Sequence, residues 1–174
     1  VRGKTLGIIG VGNVGSEVAR RAQGLNMHTI AHDPFVSADY AQNLGVELAP
    51  LKKLLSESDF ITFHIPLTSS TEGMVGAKEL SMVKPNVRII NCARGGLIDE
   101  KALVQAIEKG QVAGAAIDVF SQEPPTDSIL LKSDRIIVTP HLGASTVEAQ
   151  AGVAVDVAEQ IIAVLKGQPA RYAI

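Results

Sequence analysis

Cysteine and basic residues are scarce in this sequence. Its 174 residues include one cysteine, Cys92, which excludes an internal disulfide framework and a CxxC metal pair. Lys and Arg number 16 against 18 Asp and Glu, and no basic cluster stands out, so the chain has no broad positive field for nucleic acid or acidic lipid. We therefore expect no nucleic-acid partner, and the single thiol fits a reducing compartment, which we expect to be the cytoplasm.

Long apolar runs are missing as well. No run approaches the roughly 18 residues of a membrane span, and the first residues lack the basic-then-apolar layout of a signal peptide. We expect neither a membrane partner nor export. The sequence begins with Val1 and not with methionine, so we also expect the natural chain to have residues upstream.

The remaining composition is that of an ordinary globular domain, with 46% hydrophobic and 20% charged residues. A chain of this length is long enough for one substantial domain and short for two. We therefore predict one compact domain over residues 1–174.

Apolar, β-branched segments alternate with helical patterns along the chain. The predicted strands are residues 6–9, 27–31, 60–65, 87–91, 115–119 and 136–139, and the predicted helices between them are residues 14–25, 51–56, 77–83 and 101–109. Such strands are buried on both faces, and their alternation with helices predicts right-handed βαβ units. The fold class that follows is α/β, a doubly wound parallel sheet in a single three-layer domain.

Two helix starts have capping residues. Asp99 is expected to cap helix 101–109, and Ser145 with Glu148 three positions later has the pattern of a capping box. The second of these helices is predicted to be long, to have an apolar stripe and to end at Gly167.

The strongest local signal is the segment IIGVGNVGSEVARR, in which Gly10, Gly12 and Gly15 follow an apolar strand and open a helix. The first glycine permits a tight turn, the second lets the backbone approach a pyrophosphate, and the third lets the helix pack closely on the strand. Phosphates would sit at the helix N-terminus, where unpaired N–H groups and the helix dipole favour negative charge. A Gly-rich turn without a ligand is the alternative for the glycines taken alone.

The next predicted strand leads to Asp33, 18 positions after Gly15, where a carboxylate can accept hydrogen bonds from an adenosine ribose. Asp33 would repel a 2′-phosphate, and the residues after it, Pro34, Phe35 and Val36, include no arginine to bind one. The strand, the glycines, the helix and Asp33 together predict a Rossmann-type site for NAD rather than NADP.

Polar residues follow three later predicted strands. Arg94 lies in RIINCARGGLIDE, Asp118 and Glu123 lie in GAAIDVFSQEPP, and His141 lies in RIIVTPHLGAST. Open α/β sheets bind ligands outside the carboxyl ends of their strands, so these side chains can converge on one crevice.

These segments occur in the order found in the D-isomer-specific 2-hydroxyacid dehydrogenases, and the chain resembles the NAD-binding domain of that family over essentially its whole length. The versions NCARGGLIDE, EPP and PHLGAST are most similar to members that oxidise 3-phosphoglycerate in serine biosynthesis. The resemblance implies an NAD-dependent dehydrogenase that acts on the CH–OH group of a small 2-hydroxy acid.

The resemblance also assigns three catalytic residues. His141 would remove the proton of the substrate hydroxyl while hydride passes from C2 to nicotinamide, and histidine suits this role because it titrates near neutral pH. Glu123 would orient the histidine ring and favour its charged form. Arg94 would hold the substrate carboxylate through two parallel hydrogen bonds and so fix C2 against the cofactor.

A wider set of cofactor-binding residues is carried over from the same family. The expected contacts are Gly10, Gly12, Asn13, Val14, Gly15, Asp33, Pro34, Ile65, Pro66, Cys92, Ala93, Arg94, Asp118, His141, Gly143 and Ala144. Cys92 is expected to fit against the cofactor as a small residue and not to act as a nucleophile. The spacing of His28, His32 and His64 is not that of metal ligands, so no metal is predicted and the three are interpreted as structural, with His64 beside the nicotinamide loop.

In this family the cofactor domain is inserted within a substrate domain built from both chain ends. The resemblance therefore implies that the substrate domain and any regulatory domain lie outside this chain, that the chain alone is inactive, and that it forms a homodimer through the cofactor domain. Two other functions remain open at this point. One is another substrate, such as glyoxylate, hydroxypyruvate or lactate, and the other is an NAD-sensing module of the corepressor type.

Overall fold

The computed structural model describes residues 1–170, so the end of the predicted domain, at residues 171–174, lies outside the described residues. Within residues 1–170, seven strands form one parallel sheet, accompanied by six α-helices and one short 3-10 helix. In chain order the elements are β1 (Thr5–Ile9), α1 (Asn13–Gly24), β2 (His28–His32), α2 (Ala38–Leu44), β3 (Glu47–Leu48), α3 (Leu51–Glu57), β4 (Phe60–Phe63), α4 (Ala77–Leu80), β5 (Val87–Asn91), α5 (Glu100–Glu108), β6 (Val112–Ile117), the 3-10 helix (Ile129–Lys132), β7 (Ile136–Val138) and α6 (Val147–Leu165).

The order of the strands in the sheet is β3-β2-β1-β4-β5-β6-β7, and each neighbouring pair is parallel. β1 pairs with β2 on one side and with β4 on the other, so the chain crosses back over β1 after β3. Open α/β sheets bind their ligands at such a crossover, outside the carboxyl ends of the strands. The order confirms the predicted doubly wound fold.

Helices cover both faces of the sheet. Leu6 and Ile8 of β1 belong to one buried core, together with residues of α1 and α2, whereas Ile9 belongs to a second core with residues of α3, α4 and α5. Gly7 faces the second core as well, because a Cβ atom built on it would lie 2.7 Å from Leu54 of α3. Successive side chains of a strand point to opposite faces, so the two cores lie on opposite sides of β1. The predicted three-layer arrangement is confirmed.

Within residues 1–170 the chain has two compact units, Val1–Pro140 and a second unit that begins at His141. The first unit contains the whole sheet and α1 to α5. The second contains α6, whose 19 residues include no buried side chain in the described structure. None of the helices in the described part of the chain has the length and apolarity needed to span a bilayer.

The start of α6 differs from the sequence prediction. The Thr146 hydroxyl accepts a hydrogen bond from the Ala149 N–H at 3.1 Å, so Thr146 is the N-cap and the assignment of Ser145 was wrong. Thr146 is extended, with φ −93° and ψ 155°, as a residue at a helix entrance must be for its side chain to reach back to the first turn. The predicted end is confirmed, since α6 stops at Leu165 and Gly167 follows in the left-handed region.

Several other boundaries differ from the prediction. α2, β3 and the 3-10 helix were not predicted, and β6 begins at Val112, three residues before the predicted start. β4 ends at Phe63 instead of Ile65, and α4 ends at Leu80 instead of Val83. The Asp99 cap is confirmed, because one carboxylate oxygen accepts from the N–H groups of both Lys101 and Ala102.

Candidate active site

The glycine loop between β1 and α1 lies against the end of β4. Gly10 has φ +91°, a conformation that side chains rarely adopt. A Cβ atom on Gly10 would lie 2.5 Å from Cγ2 of Ile65 and 2.7 Å from the carbonyl oxygen of His64. The loop also pairs with both neighbouring strands, because Gly10 N–H donates to the His32 carbonyl at 3.0 Å and His64 N–H donates to the Ile9 carbonyl at 2.7 Å.

The other two glycines have opposite surroundings. Gly15 is buried, and a Cβ atom on it would overlap the carbonyl oxygen of Gly10, so the start of α1 packs directly on the turn. Gly12 is exposed and a Cβ atom there would have open space on all sides to 4 Å. Gly12 is the N-cap of α1 and has no side chain to satisfy the first N–H groups of the helix. This open, uncapped N-terminus, with Asn13 and Val14 exposed beside it, fits the pyrophosphate of a dinucleotide.

Asp33 is held against the middle of the glycine loop. Its Oδ2 accepts a hydrogen bond from the Val11 N–H at 2.9 Å, and its Oδ1 accepts one from the Phe35 N–H at 2.9 Å. A carboxylate has about four acceptor positions, so capacity remains for two ribose hydroxyls. Pro34 and Phe35 are exposed next to it, and Phe35 is 96% exposed. The carboxylate, the open loop and the apolar surface beside them fit an adenosine diphosphate group.

Two hydroxyl residues at this loop were not found from the sequence. The buried Ser16 places its Oγ 2.9 Å from the Val11 carbonyl oxygen and 2.5 Å from that of Gly12. Tyr40 of α2 places its hydroxyl 2.8 Å from Ser16 Oγ and 3.3 Å from the Val11 carbonyl. A serine on the apolar face of α1 could have indicated that Ser16 is buried at the loop. Nothing in the sequence indicates that Tyr40 contacts it.

His64 follows β4 beside the glycine loop. Its Nε2 lies 3.1 Å from the Thr62 hydroxyl, and burial lowers the pKa of the imidazole, so the ring is neutral at neutral pH. Ile65 is half-buried and Pro66 is exposed on the same segment. His64 therefore packs against the glycine loop, in an environment that is typical of a structural residue.

Arg94 is presented by a turn that the buried Asn91 holds in place. The Asn91 side chain donates to the Arg94 carbonyl at 2.9 Å and accepts from the Ala93 N–H at 3.0 Å. The Arg94 side chain is exposed and uses one of its five N–H donors on the Ala93 carbonyl, at 2.7 Å. Asn91 was missed in the sequence analysis, although an asparagine at the end of a buried strand was a usable signal.

Cys92 lies in the same turn as an exposed residue with a free thiol. The pKa of this thiol is raised chiefly by partial desolvation of the sulfur and, to a smaller extent, by the negative charge of Asp118. A nucleophilic cysteine needs a lowered pKa, so the environment of Cys92 opposes nucleophilic catalysis.

The segment after β6 lies directly beside the Arg94 turn. Asp118 is buried, donates from its N–H to the Asn91 carbonyl at 2.9 Å, and accepts at Oδ1 from the Thr139 hydroxyl. Glu123 is exposed, and its Oε1 accepts from the Phe120 N–H at 3.1 Å. A Cβ atom on Gly95 would overlap the Phe120 carbonyl, so the two segments are in close contact. The first unit thus places the Arg94 and Glu123 segments side by side.

His141, Gly143 and Ala144 belong to the second unit, where all three are exposed. His141 has φ +56°, and the other non-glycine residues with positive φ among residues 1–170 are Asn26 and Asn86. Asparagine tolerates the left-handed region well, whereas a histidine there is uncommon. Uncommon backbone conformations concentrate at functional sites, so the conformation of His141 favours a function for it.

Comparisons with known proteins identify the family of this chain. The family model for the D-isomer specific 2-hydroxyacid dehydrogenase, NAD binding domain, matches residues 1–143. The chain is 55% identical over 171 residues to a D-3-phosphoglycerate dehydrogenase of Synechocystis sp. (strain ATCC 27184 / PCC 6803 / Kazusa), a match that covers 98% of this chain and 31% of that protein.

Two solved structures show the same architecture. A glyoxylate reductase from Paecilomyes thermophila superposes with a TM-score of 0.90 at 40% identity, over 97% of this chain and 51% of that one. A D-lactate dehydrogenase with NAD+ from Lactobacillus jensenii superposes with a TM-score of 0.86 at 30% identity, over 98% of this chain and 55% of that one. The chain thus spans less than a third of the matched phosphoglycerate dehydrogenase and about half of the two solved chains. It belongs to the D-isomer-specific 2-hydroxyacid dehydrogenase family, and the part of that family it matches is the NAD-binding domain.

Proposed function

We propose that the full-length protein is an NAD-dependent dehydrogenase that oxidises D-3-phosphoglycerate to 3-phosphohydroxypyruvate, the first step of serine biosynthesis. The observation that carries the dehydrogenase proposal is the glycine loop whose central residue, Val11, is bonded to the Asp33 carboxylate at 2.9 Å. The 55% identity to a D-3-phosphoglycerate dehydrogenase supports the substrate.

The proposed cofactor contacts follow the loop and the strand ends. Bound NAD+ would serve as the hydride acceptor. The N–H groups of α1 beside Gly12, Asn13 and Val14 would bind the pyrophosphate, and Asp33 would bind the ribose hydroxyls. The remaining proposed contacts are Gly10, Gly15, Pro34, Ile65, Pro66, Cys92, Ala93, Arg94, Asp118, His141, Gly143 and Ala144.

Three residues are proposed to act on the substrate. Arg94 would bind the substrate carboxylate, for which its exposed guanidinium is suited because two N–H groups can bond the two oxygens in parallel. His141 would take the proton of the C2 hydroxyl on oxidation and return it on reduction. Glu123 would be the carboxylate that assists the histidine.

The decisive experiment is turnover by the full-length protein with NAD+ and a panel of D-2-hydroxy acids, namely 3-phosphoglycerate, glycerate, lactate and glycolate. We expect the largest kcat/KM with 3-phosphoglycerate. The variant His141→Asn should lower kcat by about 100-fold or more at saturating NAD+, the usual effect of losing a general base.

The exposed His28 provides the matched control. His28→Asn should leave kcat and KM unchanged. NADH binding without turnover of any acid in the panel would reject the dehydrogenase and favour an NAD-sensing module. Preference for lactate or glycolate would reject only the proposed substrate.

The proposed assembly is a homodimer formed through the cofactor domain, and the proposed location is the cytoplasm. The free thiol of Cys92 supports a reducing compartment. Light scattering of the full-length protein should give the mass of a dimer, and a monomer mass at high concentration would contradict the assembly.

A further inference from the structure

The hydroxyls of Ser16 and Tyr40 act on the peptide groups on either side of Gly12. The Val11 carbonyl oxygen lies 2.9 Å from Ser16 Oγ and 3.3 Å from the Tyr40 hydroxyl. The Gly12 carbonyl oxygen accepts from Ser16 Oγ at 2.5 Å and from the Ser16 N–H at 3.0 Å. Since the two hydroxyls are 2.8 Å apart, they form one connected group.

A planar trans peptide directs its C=O and N–H groups in opposite directions. A Val11 carbonyl turned toward Ser16 and Tyr40 therefore turns the Gly12 N–H away from them. In the same way, the Gly12 carbonyl bonded inside α1 turns the Asn13 N–H out of the helix end. The two residues that carry these N–H groups, Gly12 and Asn13, are exposed, and a Cβ atom added to Gly12 would meet nothing within 4 Å.

The position of Tyr40 is itself fixed by its helix. Ser37 caps α2 and its hydroxyl accepts from the Tyr40 N–H at 3.1 Å, which places Tyr40 in the first turn. The residue is 43% exposed, so it contributes little to the core, and the core of this region comes from Ala41 and Leu44 of the same helix. The hydroxyl of Tyr40 is thus separable from the stability of α2.

We propose that Tyr40 is a positioning residue for the cofactor, acting with Ser16 to hold the Gly12 and Asn13 N–H groups in the orientation that a pyrophosphate needs before NAD binds. This inference rests on the proposed use of NAD. Its chemistry is specific for the diphosphate part of the ligand, because the fixed groups are backbone N–H donors at a helix N-terminus. The adenosine part has its own partner in Asp33.

The test uses Tyr40→Phe and Ser16→Ala in the full-length protein, with NADH, ADP and adenosine as ligands. Each substitution should raise the Kd for NADH and for ADP by about threefold to tenfold, which is the effect of losing one neutral hydrogen bond. The Kd for adenosine should stay within about twofold. Because the two hydroxyls lie within hydrogen-bond distance of each other and of the same carbonyl, the double variant should show less than the product of the two single effects.

Kinetics provide a second readout. In Tyr40→Phe the KM for NAD+ should rise by the same factor, while kcat at saturating NAD+ is unchanged, since the variant alters binding and leaves the reacting groups in place. Ser56→Ala is the matched control, because its hydroxyl also bonds back to a carbonyl of its own helix, Lys53, at 3.0 Å and is remote from the loop. It should leave every Kd unchanged.

Two results would overturn the inference. Wild-type affinity of Tyr40→Phe for both NADH and ADP would show that the hydroxyl has no positioning role. An equal loss of affinity for adenosine and for ADP would indicate general loosening of the site. Failure of the unsubstituted protein to bind NADH is a different outcome, because it rejects the proposed function itself.

Discussion

Asp33 has two sets of partners, and the sequence indicates only one of them. Its spacing from the glycines predicts a ribose contact, whereas the structure adds hydrogen bonds to the N–H groups of Val11 and Phe35. The same carboxylate therefore supports the loop and is proposed to bind the ribose. A substitution at Asp33 tests both tasks, and the choice of nucleotide separates them.

Asp33→Ser should raise the Kd for NADH by about tenfold, since a charged acceptor is lost from the ribose contact. The Kd for NADPH should change less, because the same substitution removes the repulsion of a 2′-phosphate. Titration of both nucleotides measures the two constants, and Asp39→Ser, an exposed acid of α2, is the control. An equal loss for NADH and NADPH would mean that Asp33 only supports the loop.

His64 predicts how stability depends on pH. Burial lowers its pKa, so the unfolded chain binds the proton more readily than the folded one. The free energy of unfolding should therefore fall as the pH is lowered from 7 through about 6.5, the ordinary value for histidine, toward 5. Asp59, whose pKa is lowered chiefly by its hydrogen bond with Lys84, adds its own loss only in the more acidic range of carboxylates.

Urea unfolding at pH 7 and pH 5 measures this effect. His64→Gln should reduce the difference between the two pH values, whereas His28→Gln, at an exposed position, should retain it. If both variants keep the difference in unfolding free energy between pH 7 and pH 5 that the unsubstituted protein has, His64 is not the cause of the pH dependence.

Single residues of the site differ in how far the sequence revealed them. The three glycines and Asp33 were predicted because their spacing along one βαβ unit is itself the signal. Tyr40 was not, since its partner carbonyl is 29 positions away and nothing in a single sequence pairs the two. The position of Asn91 at the end of a buried strand was a signal, but the sequence does not specify the path of the turn whose backbone groups it bonds.

At the scale of elements, the strands were predicted well where they are apolar and long, and less well elsewhere. β6 begins at Val112, three residues before the predicted start, and the stretch that the prediction left out contains Gly114. The structure requires a glycine there, since a Cβ atom would lie 2.6 Å from the Arg135 carbonyl. α2 was missed because its seven residues bury only Ala41 and Leu44, too few for a recognisable periodicity.

The junction of β1 with α1 provides a matched pair of substitutions. Gly12→Ala should leave the free energy of unfolding within about 1 kcal/mol of the unsubstituted value, because the added methyl group enters open space. Gly15→Ala should lower it by roughly 1–3 kcal/mol, since the methyl group overlaps the Gly10 carbonyl and the helix must move.

Both variants should lose NADH affinity, but for different reasons. The methyl group at Gly12 would occupy the space proposed for the pyrophosphate, whereas that at Gly15 would displace the loop by overlapping the Gly10 carbonyl. Denaturant unfolding and NADH titration distinguish the two cases. Wild-type NADH affinity in Gly12→Ala would place the pyrophosphate elsewhere.

For the molecule as a whole, NADH should stabilise the first unit through mass action. The proposed site is formed by residues of the β1–α1 loop, the start of α1 and the segment after β2. Unfolding of this part of the sheet would therefore release the ligand. At about 100 times its Kd, NADH should raise the free energy of unfolding by about 2.7 kcal/mol, seen as a higher midpoint in thermal unfolding. NADPH at the same concentration should raise the midpoint less, and an equal shift would contradict the preference for NAD.

The strand order also has a consequence for biosynthesis. β1 to β3 occupy one side of the sheet, and from β5 onward each strand pairs with the strand that precedes it in the chain. A chain that leaves the ribosome from its N-terminus can therefore add β5, β6 and β7 one at a time to an edge already in place. The exception is β4, which must find β1 across the intervening α1 to α3 segments. We expect the pairing of β4 with β1, which are distant in sequence, to limit the folding rate, and we expect each later strand to add quickly.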